Sequence, residues 1–487
     1  MASTPDLRRL AAAALAVSLT AILTWFGTGL HPWWPLAWLA PLPVLVFAAS
    51  TSWWRAATAA AVAWLAGMLG LWHDLHAILP IPVAVFALFF GSETVAFTLG
   101  VLLHRALLRR GAYGLAVIAF PAIRVAFEYL LAIGGTDGTF GSLAYTQVEL
   151  LPVVQLASVT GPWGITFLVL LVPAALAAAW QLRDARGRAL RIAGAAVAAV
   201  AVVVAFGVVR MVFDESTPSL RVGLVASDPP TSDQVAAAGP ATAALLDAYA
   251  HSAETLAAQG AQLVVLPEVV GVVVDPGMRD ADTRLQELAD QTHAVIVVGL
   301  LHVAGTVKYN EARAYAPGAP VQVYAKHHLL GPFEPYEPGT VLALLSRPPD
   351  TWGVQICKDM DFPPLSREYG RAGVALMVVP AWDFGVDGFM HDRMAVMRGV
   401  ESGFGVVRAA RRGNLTVSDN RGRILAETTS NAAPFATLLA TVPAVHADTL
   451  YLRLGDWFAW LALAGLALAI GQLVVRRRGR RSRARTR

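Results

Sequence analysis

Cysteine is almost absent from this chain of 487 residues, which contains one, Cys357. A single thiol excludes an intramolecular disulfide framework, and it excludes a zinc or iron–sulfur centre built from cysteines. Charge is also scarce, since 15% of the residues are charged and 56% are hydrophobic. Soluble domains carry about 25% charged residues. The composition therefore argues against a purely soluble protein.

Lysine is the second scarce residue: the chain has three, Lys308, Lys326 and Lys358, and all its other basic side chains except histidine are arginines. Arginine and lysine differ in geometry and in ease of deprotonation, so a chain this rich in arginine keeps lysine where arginine does not serve. Lys358 directly follows the only cysteine. The distribution favours a functional role for these lysines, with drift in codon usage as the simpler alternative.

Long apolar runs are abundant. A helix that spans a bilayer needs about 20 mostly apolar residues. The runs of suitable length are Leu10–Gly29, Trp33–Ala49, Ala56–Trp72, Ile78–Leu103, Tyr113–Ile133, Trp163–Trp180, Leu190–Val209 and 456–475. They predict a polytopic α-helical membrane bundle of seven helices over 1–210 and one further span over 453–475. The first run resembles a cleaved signal peptide, but we interpret it as a retained span because other spans follow at once.

Basic residues indicate how these spans are oriented. With the N-terminus inside, the inner segments hold all the arginines of the short loops and the eight-arginine tail, 476–487, whereas the outer short loops hold none. Positive charge concentrates on the cytoplasmic side. The segment 211–452 is therefore predicted to be extracytoplasmic. The tail could be a nucleic-acid-binding arm, but we favour a cytoplasmic anchor that faces anionic lipid, and we expect no nucleic-acid partner.

Three charged residues lie well inside the predicted spans, away from their ends, where charge is costly. Arg124 and Glu128 are four residues apart and can pair on one helix face. Glu93 lies in another span, and its partner cannot be read from the sequence. We favour a structural ion pair over a substrate contact.

The pattern changes after residue 220 to short apolar runs, which are typical of strands covered on both faces. The predicted strands are Arg221–Ala226, Gln262–Leu266, Ala294–Leu301, Val321–Ala325, Gly353–Ile356, Ala375–Val379 and Gly405–Ala409. The predicted helices are Ala241–Ala258, Asp282–Gln291 and Met390–Ser402. This alternation predicts a layered α/β domain.

Three of these strands end on residues with reactive side chains. Glu268, Lys326 and Cys357 each stand at or just beyond a predicted strand end. Groups at strand ends of α/β layers converge on one edge of a sheet, where active sites form, so we expect these three side chains to share one edge. A carboxylate, an amine and a thiol together supply a general base, an oxyanion stabiliser and a nucleophile. A solitary buried cysteine is more often inert, so the prediction depends on all three residues.

The same residues carry a family resemblance. Leu266-Pro267-Glu268, then Lys326, then Ile356-Cys357-Lys358-Asp359 resembles the Glu-Lys-Cys triad of the nitrilase superfamily, and Arg398-Gly-Val-Glu401 is similar to a downstream helix motif of that superfamily. With seven spans before the catalytic domain and one after it, the layout resembles the apolipoprotein N-acyltransferase family. Tyr309-Asn310, the segment from Tyr324 to Leu329, and Glu334 are similar to motifs of that family.

The resemblance implies an extracytoplasmic nitrilase-like αββα sandwich in a multi-pass protein of the bacterial inner membrane. It implies that Cys357 takes an acyl chain from a membrane phospholipid as a thioester and passes it to the N-terminal amine of a diacylglyceryl-cysteine lipoprotein. Glu268 would act as base and Lys326 as oxyanion stabiliser. Glu334 would orient Lys326 or complete the site.

Other positions are expected to support that site or to mark departures from the family. Where the family usually has Cys-Tyr-Glu, this chain has Cys357-Lys358-Asp359. The cation of Lys358 beside the thiol is expected to favour thiolate. Trp382 lies in a segment closer to soluble amidases and serves either packing or lipid contact. For Glu401 we expect a hydrogen bond to Lys326 or to a loop.

Three functions remain open at this stage. The first is the acyltransferase, the second is a membrane-tethered carbon–nitrogen hydrolase or an acyltransferase with another acceptor, and the third is a non-catalytic binding or scaffolding descendant. No metal, nucleotide or redox cofactor is expected. The oligomeric state cannot be read from the sequence, and we favour a monomer.

Overall fold

The computed structural model describes residues 4–78, 82–212, 219–228, 237–347 and 350–485, and within these it leaves out the side chains of 4–6, 77–78 and 475–485. Residues 79–81 of the fourth predicted span and the side chains of the arginine tail therefore lie outside the described part. The chain divides into two compact units. The helical unit comprises Met1–Gly135, Gly141–Arg210 and Leu454–Arg487, and the α/β unit comprises Thr136–Phe140 and Met211–Arg453.

The helical unit begins with eleven helices in the described residues. They are α1 (Thr4–Gly27), α2 (Trp34–Ala37), α3 (Leu42–Ser50), α4 (Trp53–Gly67), α5 (Leu69–Ile78), α6 (Val83–Leu108), α7 (Tyr113–Gly134), α8 (Leu151–Val154), α9 (Ala157–Thr160), α10 (Pro162–Gln181) and α11 (Arg186–Val212), with a 3-10 helix at Leu143–Gln147.

Seven helical stretches in the described part of the chain are long and apolar enough to cross a membrane. They are Leu7–Gly27, Trp53–His76, Val83–Leu108, Tyr113–Gly134, Pro162–Gln181, Arg186–Val212 and Trp457–Val474. The second predicted span, Trp33–Ala49, is instead a broken pair, α2 and α3, with a proline in the first turn of each helix. Its 17 residues from Trp34 to Ser50 are apolar but shorter than the seven. The number of crossings and their direction stay predictions.

Three charged residues of the helical unit, Glu93, Arg124 and Glu128, form one buried network. Arg124 donates to Glu128 through Nε at 2.8 Å and to Glu93 through Nη2 at 3.1 Å. The second carboxylate oxygen of Glu128 accepts hydrogen bonds from the hydroxyls of Ser142 and Thr166, both at 2.8 Å. The predicted Arg124–Glu128 pair is confirmed, and Arg124 is also the partner of Glu93. Pairing of this kind offsets the cost of burying charge.

The α/β unit contains thirteen strands and five further helices in the described residues. The strands are β1 (Ser219–Ala226), β2 (Leu263–Val265), β3 (Val272–Val274), β4 (Val295–Ala304), β5 (Val307–Tyr315), β6 (Gln322–Ala325), β7 (Ala343–Arg347), β8 (Asp350–Val354), β9 (Leu376–Trp382), β10 (Gly405–Arg411), β11 (Asn414–Ser418), β12 (Ile424–Thr429) and β13 (Ala436–Pro443). The helices are α12 (Pro240–Ala258), α13 (Met278–Thr292), α14 (Pro363–Arg371), α15 (Gly388–Ser402) and α16 (Leu450–Leu454). The last helix of the chain, α17 (Trp457–Arg485), returns to the helical unit.

The strands form two sheets. The first has the order β13-β1-β2-β4-β5-β6, with β3 paired to β4, and the second has the order β12-β11-β10-β9-β8-β7. Buried residues of both sheets, such as Leu224 and Val378, share one hydrophobic core. A second core joins the first sheet to α12 and α13, and α15 contacts β10 and β11 of the second sheet. These layers confirm the predicted αββα sandwich.

All seven predicted strands and all three predicted helices of this unit are present, with ends that differ by a few residues. The prediction missed six strands, of which five carry polar residues among their apolar ones and one, β3, is only three valines long. The longest of these, β5, carries Glu311 and Arg313, whose side chains bond to each other at 2.6 Å. Arg313 also bonds to Asp282 of α13. Because these charges satisfy one another, a strand with polar side chains lies inside the fold.

Candidate active site

Two sheets, rather than one, bring the three predicted catalytic residues together. Glu268 lies beyond β2 and Lys326 beyond β6, both in the first sheet, whereas Cys357 follows β8 of the second sheet. The backbone amide of Glu268 donates to the carbonyl of Ala381 in β9 at 3.2 Å, which joins the two sheets beside the site. The expectation that these strand ends share one sheet edge is wrong, because the site forms where the two sheets face each other.

A lysine with two carboxylates forms the centre of the site. Lys326 Nζ lies 2.8 Å from Glu268 Oε1 and 3.0 Å from both carboxylate oxygens of Glu334. Asn310 Nδ2 donates to the same oxygens, at 2.7 Å to Glu268 and 2.9 Å to Glu334. Glu334 also accepts from the backbone amide of Leu330 at 2.6 Å, which fixes the loop that carries it. Glu334 therefore contacts the lysine directly, and its role in the reaction stays a prediction.

Burial governs the electrostatics of this cluster. Burial alone would lower the pKa of Lys326, but the carboxylates of Glu268 and Glu334 raise it well above its usual value. The pKa of Glu268 is raised, chiefly by burial and further by Glu334, while Lys326 opposes the shift. The lysine is thus a fixed cation, and Glu268 is a stronger base than an exposed carboxylate, as a general base requires.

Two glycines permit the close approaches around this cluster. A Cβ on Gly299 of β4 would lie 2.5 Å from the Cα of Glu268. A Cβ on Gly339 would lie 2.1 Å from the carbonyl oxygen of Ala325, and the amide of Gly339 donates to the carbonyl of Lys326 at 2.9 Å. Any larger residue at either position would displace the base or the lysine.

Cys357 begins a 3-10 turn, Cys357–Asp361, which we call the cysteine turn. Its φ of +44° lies in the left-handed region, where a non-glycine residue is strained and is often functional. The Sγ lies 3.5 Å from the carbonyl oxygen of Trp382. Burial and the charge of Glu268 raise the pKa of this thiol well above its usual value, while Lys326 opposes them. The resting thiol is therefore protonated and needs a base before it can act as a nucleophile.

Asp359 holds the cysteine turn against the strand end that carries the lysine. Its fully buried carboxylate accepts from the Tyr324 hydroxyl at 2.7 Å, from the amide of His328 at 2.8 Å and from the amide of Ile356 at 3.2 Å. One side chain thereby fixes the start of the cysteine turn relative to Lys326. Asp359 supports the site through this position.

The ammonium of Lys358 pairs with an aspartate rather than with the Cys357 thiol that precedes it in the sequence. Its Nζ lies 2.8 Å from Asp137 Oδ1, in the short segment Thr136–Phe140. The main charges acting on the Cys357 thiol are those of Glu268, Lys326, Asp383 and Arg408. The geometry therefore does not support the expected stabilisation of the thiolate by Lys358.

The remaining predicted residues lie outside the lysine cluster. Trp382 ends β9, offers its carbonyl to Cys357, and stacks under Arg411, whose Cζ lies 4.2 Å from the ring centroid. Glu401 on α15 pairs with Arg398 at 2.6 Å, and both side chains are fully buried. The described contacts give Glu401 this structural pairing rather than a bond to Lys326.

Sequence reasoning missed two parts of the site. Asn310 belongs to a Tyr-Asn motif that pointed to the family, but its bridge between two carboxylates depends on β5, which was not predicted. Asp383 and Arg408 form a buried pair, with Nη1 of the arginine 2.9 Å from Oδ2 of the aspartate, and both act on the thiol. The sequence signal that could have pointed to Asp383 is its position directly after Trp382. Among the described residues, no group of histidine, cysteine and acidic side chains could hold a metal ion. A site without cofactor stays a prediction.

Comparisons with known proteins agree with the two-part organisation. The family model described as carbon-nitrogen hydrolase matches residues 230–454, and the model described as apolipoprotein N-acyltransferase N-terminal domain matches residues 20–175. The chain is 29% identical over 407 residues to an apolipoprotein N-acyltransferase of Geobacter metallireducens, across 74% of this chain and 75% of the relative. A protein of the same name from Gloeobacter violaceus is 26% identical over 430 residues, across 81% and 80% of the two chains.

Solved structures similar to this chain match part of it. A crystal structure of an amidase from Nesterenkonia sp. shares 22% identity with a TM-score of 0.40, and the match covers 50% of this chain and 95% of that chain.

Proposed function

The chain belongs to the apolipoprotein N-acyltransferase family of the nitrilase superfamily, and from this premise we propose that it N-acylates lipoproteins by way of a thioester on Cys357. The acyl chain comes from a membrane phospholipid. The acceptor is the N-terminal amine of a diacylglyceryl-cysteine lipoprotein. The observation that carries the proposal is the buried cation of Lys326 between the carboxylates of Glu268 and Glu334, beside a protonated thiol.

In the first half-reaction, Glu268 takes the proton of the Cys357 thiol while Sγ attacks the ester carbonyl of the phospholipid. The oxyanion that develops is stabilised by Lys326 and by a backbone amide next to Cys357. The intermediate collapses by breaking the carbon–oxygen ester bond. The lysophospholipid leaves as an alcohol with the proton that Glu268 returns, and the acyl chain stays on sulfur as a thioester.

In the second half-reaction, the α-amine of the lipoprotein attacks the thioester carbonyl. Glu268 accepts a proton from the amine, and the same donors stabilise the second oxyanion. The carbon–sulfur bond breaks, an amide forms, and Glu268 returns the proton to the leaving sulfur. The cysteine is thereby restored without any oxidant, reductant or cofactor.

Two features of the site support this cycle. The raised pKa of Glu268 suits a group that must both accept and return protons. The raised pKa of the Cys357 thiol makes that base necessary, because little thiolate is present at rest. Glu334 and Asn310 support Lys326 and Glu268 as positioning residues through the contacts described above.

The chain is a multi-pass membrane protein, and we propose that the membrane is the bacterial inner membrane with the α/β unit on its extracytoplasmic side. The concentration of arginine in the predicted inner segments supports this orientation. The orientation counts the broken pair α2 and α3 as one crossing. Apolar helices suit the reaction, because the acyl chains of both substrates then stay in the bilayer.

The amidase alternative is not favoured, because the chain matches the N-terminal acyltransferase domain as well as the hydrolase domain. The test uses full-length protein in detergent with phospholipid and a synthetic diacylated lipopeptide. We expect mass spectrometry to find the lipopeptide with one added acyl chain on nitrogen, and no product with Cys357→Ala. Release of free fatty acid with an unmodified lipopeptide would support the hydrolase, and full activity of Cys357→Ala would refute the mechanism.

A further inference from the structure

The segment Thr136–Phe140 lies in the chain between α7 and the 3-10 helix Leu143–Gln147, both in the helical unit, yet it belongs to the α/β unit. Five residues that leave one unit to join another need contacts that hold them there. Those contacts are with the cysteine turn and with α15, which the proposed mechanism leaves unexplained.

The segment contacts the cysteine turn at two points. Asp137 accepts from Lys358 Nζ at 2.8 Å, and Thr139 donates through its amide and its hydroxyl to the carbonyl of Asp361, at 3.0 and 2.9 Å. Between them, Gly138 has a φ of +54°, and a Cβ there would lie 2.3 Å from the Asp361 carbonyl oxygen. The segment therefore fits closely along the turn.

A third contact fixes the end of the segment. The ring of Phe140 stacks on His391 of α15, with centroids 5.5 Å apart and planes 24° from parallel. His391 in turn lies between the carboxylates of Asp361 and Asp387, at 3.5 and 3.3 Å. The far end of the cysteine turn is thus held by the same group of side chains that receives Phe140.

The arrangement surrounds a strained nucleophile. Cys357 has a left-handed backbone that persists only when its surroundings impose it. Asp359 holds the turn on the side of Tyr324 and His328, and the segment Thr136–Phe140 holds it through Lys358 and Asp361. Contacts on two sides fix a turn better than contacts on one.

The ion pair of Lys358 and Asp137 has one buried and one exposed partner. The side chain of Lys358 is 8% exposed, and that of Asp137 is 67% exposed. A pair with one partner in solvent contributes little stability on its own. The pair can instead fix the position of the cysteine turn. This matters because a shift of about 1 Å at a reacting group can cost on the order of 100-fold in rate.

We propose that Thr136–Phe140 is a clip that positions the nucleophile, and that Lys358 is a positioning residue acting through Asp137 and not a charge that stabilises the thiolate. The juxtaposition of Asp137 with Lys358 and of Thr139 with Asp361 carries the inference. It rests on the proposed thioester chemistry at Cys357. The clip makes five residues from the loop after α7 part of the structure that positions Cys357.

The test is a double-mutant cycle of Asp137→Asn and Lys358→Met in the full-length protein. The measured quantity is the single-turnover rate of thioester formation on Cys357, with phosphatidylethanolamine in mixed micelles as the donor. We expect each single variant to acylate about tenfold more slowly. The double variant should be no slower than the slower single one, because both changes remove the same contact. Lys358→Arg, which keeps the pair, should restore most of the rate.

The rate of thiol alkylation by iodoacetamide against pH distinguishes positioning from thiolate stabilisation. We expect the profiles of both single variants to overlay that of the wild type. If Lys358 stabilised the thiolate, Lys358→Met would move the profile to higher pH and Asp137→Asn would move it to lower pH, which would overturn the inference. Acylation at the wild-type rate in both variants would also overturn it.

Two controls keep the outcome interpretable. Asp184→Asn removes an exposed acid in the helical unit and should leave the rate unchanged. Thermal unfolding identifies a variant that fails to fold, and in that case Thr139→Val, which removes one hydroxyl donor to Asp361, takes its place. If the wild type itself forms no thioester, the proposed function fails, whereas unchanged variants of an active wild type contradict only the clip.

Discussion

Glu334→Gln is the perturbation that most sharply separates the electrostatic role of Glu334 from its structural one. The amide keeps the size of the side chain and an oxygen that can accept from Lys326 and from the Leu330 amide. What it removes is one of two negative charges that face the lysine, together with the oxygen that accepts from Asn310 Nδ2 at 2.9 Å. Because Glu334 raises the pKa of Glu268, its loss lowers that pKa.

The size of this effect follows from the geometry. Glu268 Oε1 and Glu334 Oε1 lie 2.8 and 3.0 Å from Lys326 Nζ, so they are at most 5.8 Å apart. Two unit charges at that separation, with an effective dielectric constant of about 20, interact by about 3 kcal/mol. One pKa unit corresponds to about 1.4 kcal/mol, so losing an interaction of this size should lower the pKa of Glu268 enough for a pH profile to resolve.

The assay is the pH dependence of kcat/KM for N-acylation of the diacylated lipopeptide. The base must be ionised, so the rate rises as pH rises through the pKa of Glu268. In Glu334→Gln this acid limb should move to lower pH, and the plateau should fall because Glu268 becomes a weaker base. Glu337→Gln, an exposed acid of the same loop, is the matched control and should leave the profile unchanged. An acid limb that stays in place or moves to higher pH in Glu334→Gln would refute the reasoning.

Two further predictions concern stability. Asp359→Ala removes the acceptor of several buried donors, among them the Tyr324 hydroxyl. Denaturant unfolding should show the α/β unit destabilised by about 3 kcal/mol. An unchanged unfolding midpoint would mean that Asp359 does not hold the cysteine turn in place. Arg124→Met leaves Glu93 and Glu128 buried without a counter-charge and should cost about 3–5 kcal/mol, seen as a lower Tm in detergent. A Tm equal to that of the wild type would mean that the network does not stabilise the helical unit.

The sequence predicted the layers of the α/β unit because most of its strands are apolar runs, a pattern that burial on both faces produces. It also predicted the triad, since Glu268, Lys326 and Cys357 each stand at or near the end of such a run. The longest strand that was missed, β5, has polar side chains that pair with one another. No local pattern reports a partner such as Asp282, which lies about 30 residues away along the chain.

The neighbours of the nucleophile show why some roles could not be predicted. Lys358 is adjacent to Cys357 in sequence, which suggested a direct effect on the thiol, but adjacent side chains point in different directions. Its partner Asp137 lies 221 positions earlier in the chain. Asp359 was recognised as a supporting acid, but its role as a tether requires Tyr324 and His328 to be folded beside it. Long-range contacts of this kind are set by the tertiary fold.

The central claim is that Cys357 carries the acyl chain as a thioester, and intact-protein mass spectrometry tests it most directly. Full-length protein is incubated with a phospholipid of one defined acyl chain and no acceptor. The account predicts a mass increase of one acyl group on the peptide that contains Cys357, removed by hydroxylamine and lost on addition of the diacylated lipopeptide as the N-acylated product appears. N-acylated lipopeptide formed at the wild-type rate with no acyl group on Cys357 at any time would contradict it.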